Sequence, residues 1–158
     1  MGVFVQISDF KEGKFKLALN QYNEGDLQSI IDKHEKIYII ELFGLAMGNA
    51  IYSAPASQLA LTAPFQEEIN DFLVISEGVT EMLKGFIFFE YIRATDIKSI
   101  VGGTVQNSSD QGAVLKIDVV NRYNDSIDTW EAIQYKCLND STTYPDFNGQ
   151  EKEGILPI

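Results

Sequence analysis

The residue best suited to chemistry is the single histidine, which opens the segment His34-Glu35-Lys36-Ile37-Tyr38. A zinc protease motif, H-E-x-x-H, needs a second imidazole one helical turn later to hold the metal. Tyr38 occupies that position, so the segment predicts no zinc site. His34 lies on the apolar side of its predicted helix, and we expect it to be packed or half-buried.

Three further segments come close to known motifs and fail at a defining residue. Residues 74–78, Val-Ile-Ser-Glu-Gly, lack the first glycine of the G-x-S-x-G turn that presents a nucleophilic serine. Gly102-Gly103-Thr104 lacks the Gly-Lys-Ser/Thr of a phosphate-binding loop. Asp146-Phe147-Asn148-Gly149 has its glycine too early for a calcium loop and no glutamate at the required distance. The sequence therefore predicts no catalytic, cofactor-binding or metal-binding residues.

Paired carboxylates are the remaining candidates for acid–base chemistry, as in Glu67-Glu68 or Asp125 with Asp128. Such pairs are more typical of solvated helix faces and of helix N-termini, where the macrodipole favours negative charge. We therefore expect a protein that is not an enzyme. A small carboxylate-based enzyme is the least favoured alternative.

Composition limits the partners of the chain. Its 158 residues include 12 basic and 23 acidic ones, a net charge of −11, and 45% are hydrophobic. This length and apolar content suit one folded domain, whereas the charge disfavours binding to DNA phosphates or to an anionic membrane. The single Cys137 allows no internal disulfide and is expected to be a small buried hydrophobe. We see no secretion signal or membrane-length apolar run, which favours an intracellular type of protein.

Hydrophobic periodicity predicts a mainly α fold, a small bundle of long helices. Residues 1–20 alternate and predict a short extended N-terminal arm or a hairpin. The first helix is expected over about 26–43, with Asn23 or Asp26 as its cap. The other expected elements are a connector at 53–65, a helical region at about 65–98 divided at Gly78, a glycine-rich loop or small hairpin at 99–112, a helix at about 113–138, and an extended tail at 141–158. The helix after Gly78 is apolar nearly all round and is expected to be central in the bundle. We thus expect one helical domain over 1–140 and a C-terminal tail over 141–158.

Two segments are expected to contact other chains. The loop at 99–112 is rich in glycine and serine, and the tail ends in Ile155-Leu156-Pro157-Ile158. Exposed apolar residues at a terminus are a liability unless a partner covers them. The candidate interface residues are Ile100, Val101, Gly102, Gly103, Thr104, Val105, Tyr144, Phe147, Ile155, Leu156 and Ile158.

Several segments resemble one known family. Residues 78–93 read Gly-Val-Thr-Glu-Met-Leu-Lys-Gly-Phe-Ile-Phe-Phe-Glu-Tyr-Ile-Arg, and residues 100–108 read Ile-Val-Gly-Gly-Thr-Val-Gln-Asn-Ser. Together with 38–44, Asn121-Arg122-Tyr123-Asn124 and Trp130, they are similar to head–tail connector proteins of tailed phages. This family of neck or ring adaptor proteins includes ring proteins of crAss-like phages, which infect Bacteroides-type hosts.

The resemblance covers about residues 7–140 and implies a structural virion protein without catalytic residues. About a dozen copies, a dodecameric ring, would sit below the portal at the head–tail junction, and the genome would pass through the ring. The subunit would be made in the host cytoplasm. The loop around Gly102-Gly103 and both terminal arms would contact neighbouring subunits, the portal or the next neck or tail protein.

The acidic balance fits such a conduit, because phosphates repelled by carboxylates stay hydrated and slide past without specific binding. It equally fits a role in solubility alone. The alternative from another class is an acidic monomeric adaptor, or a DNA-mimic inhibitor that occupies a basic partner.

Overall fold

The computed structural model describes residues 2–17, 23–101 and 110–155, and it is mainly helical. The helices are α1 (Glu24–Phe43), α2 (Leu45–Ser53), α3 (Leu59–Thr62), α4 (Val79–Val101) and α5 (Asp110–Asn139), the strands are β1 (Phe65–Ile69) and β2 (Phe72–Ser76), and short 3-10 turns lie at Ile7–Phe10 and Pro55–Gln58. The predicted helical bundle is confirmed. Within the described part of the chain, no helix is both long and apolar enough to cross a membrane.

Helix α1 begins and ends on local signals. The Asn23 side chain accepts hydrogen bonds from the backbone N–H groups of Gly25 (2.8 Å) and Asp26 (3.1 Å), as an N-cap does. Gly44 ends the helix at a φ of 88°, a conformation that glycine adopts without steric cost. The chain turns there into α2, which packs back on α1.

Helix α4 is the centre of the bundle, as its apolar sequence predicts. It packs against both α5 and α1, and most of its first thirteen side chains are buried. Phe86 lies within an aromatic cluster whose ring centroids are 4.8 Å from Tyr38, 5.1 Å from Tyr123 and 5.8 Å from Trp130. At Gly85, a Cβ would lie 1.9 Å from Ser126 Oγ, so the absence of a side chain lets α4 and α5 approach closely.

The helical prediction for 65–77 is wrong, because β1 and β2 form an antiparallel hairpin there. Asn70 and Asp71 connect the strands at φ values of 52° and 65°, which is the geometry of a tight hairpin turn. The inner face of the hairpin buries Val74 and Ser76 against the domain, and β2 packs on α5. Burial alternates with a period of two along the strands, which the Asn70-Asp71 turn separates.

The N-terminal expectation also needs correction. Residues 2–17 form no strand pair; a 3-10 turn over Ile7–Phe10 interrupts them. Val5, Phe10 and Phe15 are buried in the core. These apolar residues are therefore buried because the N-terminal segment wraps over the helices, and not because it forms a strand. The small hairpin expected at 100–105 is not formed by Ile100 and Val101, which end α4, and its remaining residues lie outside the described part.

The C-terminal segment folds back on its own subunit. Two turns follow α5, and Tyr144 is buried while Phe147 and Ile155 pack against the core. The prediction that residues 141–155 extend away from the domain is therefore wrong. Burying three large apolar side chains favours this return path.

Candidate interaction sites

A groove along α1 and α5 holds the segment 148–155, which we call the tail segment. The groove starts at the C-terminal end of α1, where the last carbonyl oxygens of any helix lack partners within the helix. Here the tail segment and one α5 side chain supply those partners. The donors are the backbone N–H of Gln150 to Glu41 O (2.7 Å), the backbone N–H of Asn148 to Phe43 O (3.1 Å) and Gln134 Nε2 to Leu42 O (3.3 Å).

Helix α5 binds the tail segment through its main chain. The indole N–H of Trp130 and the amide of Gln134 both donate to Gln150 O, at 3.1 and 2.8 Å. One turn and a half earlier on α5, Asn124 donates to Ile155 O (2.7 Å) and accepts from Ile155 N–H (2.8 Å). An amide side chain that both donates to and accepts from one residue mimics a strand neighbour. The groove therefore recognises an extended backbone.

Lys152 gives the tail segment its specific side-chain contact. Its ammonium lies 4.7 Å from the ring centroid of Tyr38, 5.1 Å from that of Trp130 and 5.7 Å from that of Phe86. Glu41 Oε2 accepts a hydrogen bond from it at 2.9 Å. The Lys152 side chain is only 19% exposed. Three ring faces and one carboxylate around an ammonium form an aromatic cage, an arrangement that attracts cations electrostatically.

A hydrogen bond between Tyr38 and Glu90 fixes the position of one ring of the cage. The Tyr38 hydroxyl donates to Glu90 Oε1 at 2.9 Å, and burial together with this carboxylate raises the pKa of Tyr38 well above its usual value. The ring thus stays neutral and keeps its orientation toward Lys152.

A glycine lets the tail segment lie against α1. A Cβ at Gly149 would lie 2.0 Å from Leu42 O and 2.6 Å from Gln134 Nε2. Any side chain at this position would push the segment out of the groove. Neither Gly149 nor Lys152 was among the predicted contact residues, because no local pattern connects them to residues of α1 about a hundred positions earlier.

Helix α1 also holds the N-terminal residues, through the fully buried Glu35. Its carboxylate accepts hydrogen bonds from the backbone N–H groups of Val3 (2.9 Å), Phe4 and Val5 (3.1 Å). A buried carboxylate is costly without partners, and here the partners are main-chain donors. The glutamate of the failed zinc motif is therefore a structural anchor.

The residues that the sequence offered as candidates for chemistry have structural roles. His34 is half-buried and stacks on Tyr38 with 5.9 Å between ring centroids, and burial lowers the pKa of His34. Ser76 Oγ accepts a hydrogen bond from Gly78 N–H, which fixes the turn into α4. Cys137 is buried, and burial raises the pKa of its thiol to about 12. Among the residues described, no group of three acidic, histidine or cysteine side chains could hold a metal ion.

A second candidate surface is the stretch 42–66, which contains no Asp, Glu, Lys or Arg. We call its exposed part, on α2, α3 and the turn between them, the uncharged surface. Leu45 is 69% exposed and Leu59 is 60% exposed, and the other exposed residues are mostly Ala and Ser. A shallow depression beside Leu59 is lined by Pro55 and Pro64 and, on its other side, by residues at the start of α4 that include the carboxylates of Glu77 and Glu81.

Other exposed apolar side chains lie on the hairpin and at the end of α5. Phe72, Leu73, Ile75 and Leu138 are all more than half exposed. The hairpin is fastened to α5 by the ion pair between Lys136 and Glu67 (2.7 Å).

The predicted interface residues that the structure describes lie in two places. Tyr144, Phe147 and Ile155 pack within the subunit, while Ile100 and Val101 end α4. The predictions at 102–105, at Leu156 and at Ile158 lie outside the described residues. The uncharged surface was not among the predictions, although the absence of charge over 42–66 is visible in the sequence.

No protein-family model, curated protein or solved structure matches this chain.

Proposed function

We propose that this protein is a structural subunit of a ring-shaped assembly, a head–tail connector of a tailed phage located in the virion. The observation that carries the proposal is the uncharged surface on a chain of net charge −11. Copies of one acidic chain repel each other, and like charges brought face to face cost several kcal/mol. A surface that contributes no charged side chain of its own therefore favours contact between copies.

The sequence resemblance supports the same function. The run 78–93 that resembles the central helix of connector subunits begins at the turn before α4 and forms the buried centre of this bundle. The resembling residue Trp130 lies in the adjoining core. In this proposal the copies form a ring through which the genome passes, and the portal and neighbouring neck or tail proteins are the other partners.

Assembly of the purified chain tests the proposal. We expect native mass spectrometry and light scattering to show a multimer at high protein concentration, and negative-stain images to show rings. Raising the salt concentration screens the repulsion between exposed charges, so assembly is expected to strengthen with salt. A chain that stays monomeric over all concentrations and salt conditions would overturn the proposal.

Matched substitutions locate the contact. Leu45→Glu and Leu59→Glu place a carboxylate on the uncharged surface and are expected to shift assembly to higher protein concentration by tenfold or more. Leu138→Glu is the control, because Leu138 is 68% exposed and Leu45 is 69% exposed. Equal effects of the three substitutions would contradict a specific role for the uncharged surface. Detection of the chain as a stoichiometric component of purified virions would test the location.

The acid excess alone also favours a monomeric acidic adaptor or DNA-mimic inhibitor. That function predicts a monomer that binds a basic nucleic-acid-binding protein and dissociates from it as salt rises. Both functions predict weak or absent binding to duplex DNA at physiological salt. Oligomeric state therefore separates them.

A further inference from the structure

We propose that the outer face of the β1–β2 hairpin contacts the exposed side of α1 in a neighbouring copy of this chain. The outer face consists of Gln66, Glu68, Leu73 and Ile75, and the exposed side of α1, which we call the α1 face, consists of Lys33, Lys36 and Ile37. The inference rests on the proposed ring and names the residues that would join one subunit to the next.

Strand β2 has the sequence of a strand that is covered on both sides. Its side chains alternate between the two faces of the hairpin, and the buried Val74 and Ser76 mark the inner face. Leu73 and Ile75 therefore belong to the outer face. An antiparallel sheet with one wet face carries polar residues outward, whereas a continuous apolar run is typical of a strand buried on both faces. Residues 72–75, Phe-Leu-Val-Ile, are such a run.

Within the described part of the chain, the outer face is open to solvent. Leu73 is 62% exposed and Ile75 is 54% exposed, and the neighbouring Phe72 is 68% exposed. Adjacent exposed apolar side chains bordered by polar residues mark surfaces that bind another molecule. The cover that the sequence of β2 predicts is therefore expected from a second chain.

The outer face and its rim are negatively charged. Residues 65–81 include five acidic residues and no lysine or arginine. Glu68 lies directly opposite Leu73 in the register and so shares the outer face, and Asp71 is exposed in the turn beside it. Neither carboxylate forms an ion pair with a described residue. A partner that brings cations would therefore be the first to neutralise them.

The α1 face supplies the opposite charge. Lys33 and Lys36 are exposed and form no ion pair with a described residue, in contrast to most of the basic residues whose contacts the structure describes. The Nζ of Lys36 lies 5.7 Å from the ring centroid of Tyr52 on α2, which places the α1 face next to the uncharged surface. Ile37 is 44% exposed and gives the face an apolar centre. A second copy thus offers both an apolar cover and unpaired cations.

The spacing of the two faces matches. Lys33 and Ile37 are one helical turn apart on α1, about 6 Å. On the hairpin, Glu68 lies diagonally across from Ile75, at roughly 7–8 Å. When Ile37 packs on Ile75, the flexible stem of Lys33 therefore reaches the carboxylate. Because the two faces lie on different elements, each copy uses its hairpin toward one neighbour and its α1 face toward the other, which is the head-to-tail contact that generates rings.

A charge swap tests the pairing in the full chain. Glu68→Lys places a lysine opposite Lys33 of the neighbour, and Lys33→Glu places a glutamate opposite Glu68. Each variant alone is expected to assemble at least tenfold more weakly than the wild type. In a mixture, copies of the two variants can alternate around the ring so that every contact again joins opposite charges. The mixture is therefore expected to assemble at least tenfold more strongly than either variant.

Exposed residues outside the two faces provide matched controls. Glu151→Lys makes the same charge change as Glu68→Lys, and Lys16→Glu makes the same change as Lys33→Glu; both control residues are exposed. Neither control is expected to weaken assembly tenfold. Controls that weaken assembly as much as the swaps would show that total charge is responsible, and would overturn the contact.

Cysteine cross-linking gives a measurement that does not depend on charge. The double variant with Ile37→Cys and Leu73→Cys places one exposed thiol on each face, while the native Cys137 is buried and has a raised pKa. Oxidation of the assembled double variant is expected to yield a ladder of covalent multimers, and each single variant is expected to yield single chains. Single chains from the double variant, or equal ladders from a single variant, would overturn the contact.

The outcomes separate this contact from the proposed function. A wild type that forms rings, together with swap variants that assemble equally well or a mixture that assembles no better than its components, would overturn the contact and leave the ring intact. A wild type that forms no multimer would overturn the proposed function and the contact with it.

Discussion

Replacing Lys152 by glutamine is expected to destabilise the free subunit by about 2 kcal/mol. A partly desolvated ammonium over aromatic rings contributes about 1–2 kcal/mol, and its ion pair with Glu41, in which the two side chains are 19% and 32% exposed, contributes about 0.2–1 kcal/mol. Glutamine keeps part of the apolar stem in the cage and removes only the charge. For a domain of this size, such a loss lowers the melting temperature by roughly 4–8 °C.

The assay is urea and thermal unfolding of the free subunit at low protein concentration, followed by circular dichroism. Lys16→Gln is the matched control, since Lys16 is exposed and the same substitution there should change the free energy of unfolding by less than about 0.5 kcal/mol. Lys152→Arg keeps a cation that also stacks on aromatic faces and is expected to lose less than half as much as Lys152→Gln.

Equal stability of Lys152→Gln and Lys16→Gln would refute the view that the cage holds the tail segment by charge. Equal losses for Lys152→Arg and Lys152→Gln would show that the fit of the lysine stem matters instead of the cation.

Four other outcomes follow from the packing. Glu35→Gln is expected to cost about 2–4 kcal/mol in urea unfolding, because an amide leaves the N–H groups near Val3–Val5 without a full set of acceptors, and hydrogen exchange should show faster exchange of those amides; unchanged exchange would contradict the anchor. Gly85→Ala is expected to cost about 1–3 kcal/mol by overpacking against Ser126, and adding Ser126→Gly should regain part of it; no recovery would place the clash elsewhere. Cys137 should resist alkylation at pH 8 in the folded chain and react fully in denaturant, since its thiol is buried and its pKa is raised to about 12; labelling of the folded chain would contradict that burial. Burial lowers the pKa of His34 below its ordinary 6.5, so the unfolded chain binds the proton more readily, stability is lost as pH falls through that value, and His34→Gln should lose less between pH 7 and pH 5; an identical pH dependence of the two chains would contradict it.

The long helices could be predicted because their signals are local. Asn23 caps α1, Gly44 ends it, and the apolar faces of α4 and α5 repeat at helical spacing over many turns. The hairpin was missed because its strands are short, and its turn uses Asn70-Asp71 in place of the more familiar Asn-Gly.

The groove could not be predicted because its contacts join residues far apart in the chain. Gln150 binds Glu41, Gln134 and Trp130 at once, and no spacing in the sequence indicates this. The tail was predicted to contact a partner because its apolar residues show no helical or strand periodicity. In the structure, their partner is the core of the same subunit.

The position of α1 between the two chain ends sets an order of events during synthesis. Glu35 can bind the N-terminal residues as soon as α1 leaves the ribosome, since the two lie close in sequence. The carbonyls at the other end of α1 receive their donors from residues 148–150, which are synthesised after α5. Contacts between residues this distant in sequence form slowly, and domains on the ribosome fold as their segments emerge. The cage of a nascent subunit therefore lacks its lysine until the residues that follow α5 have left the ribosome.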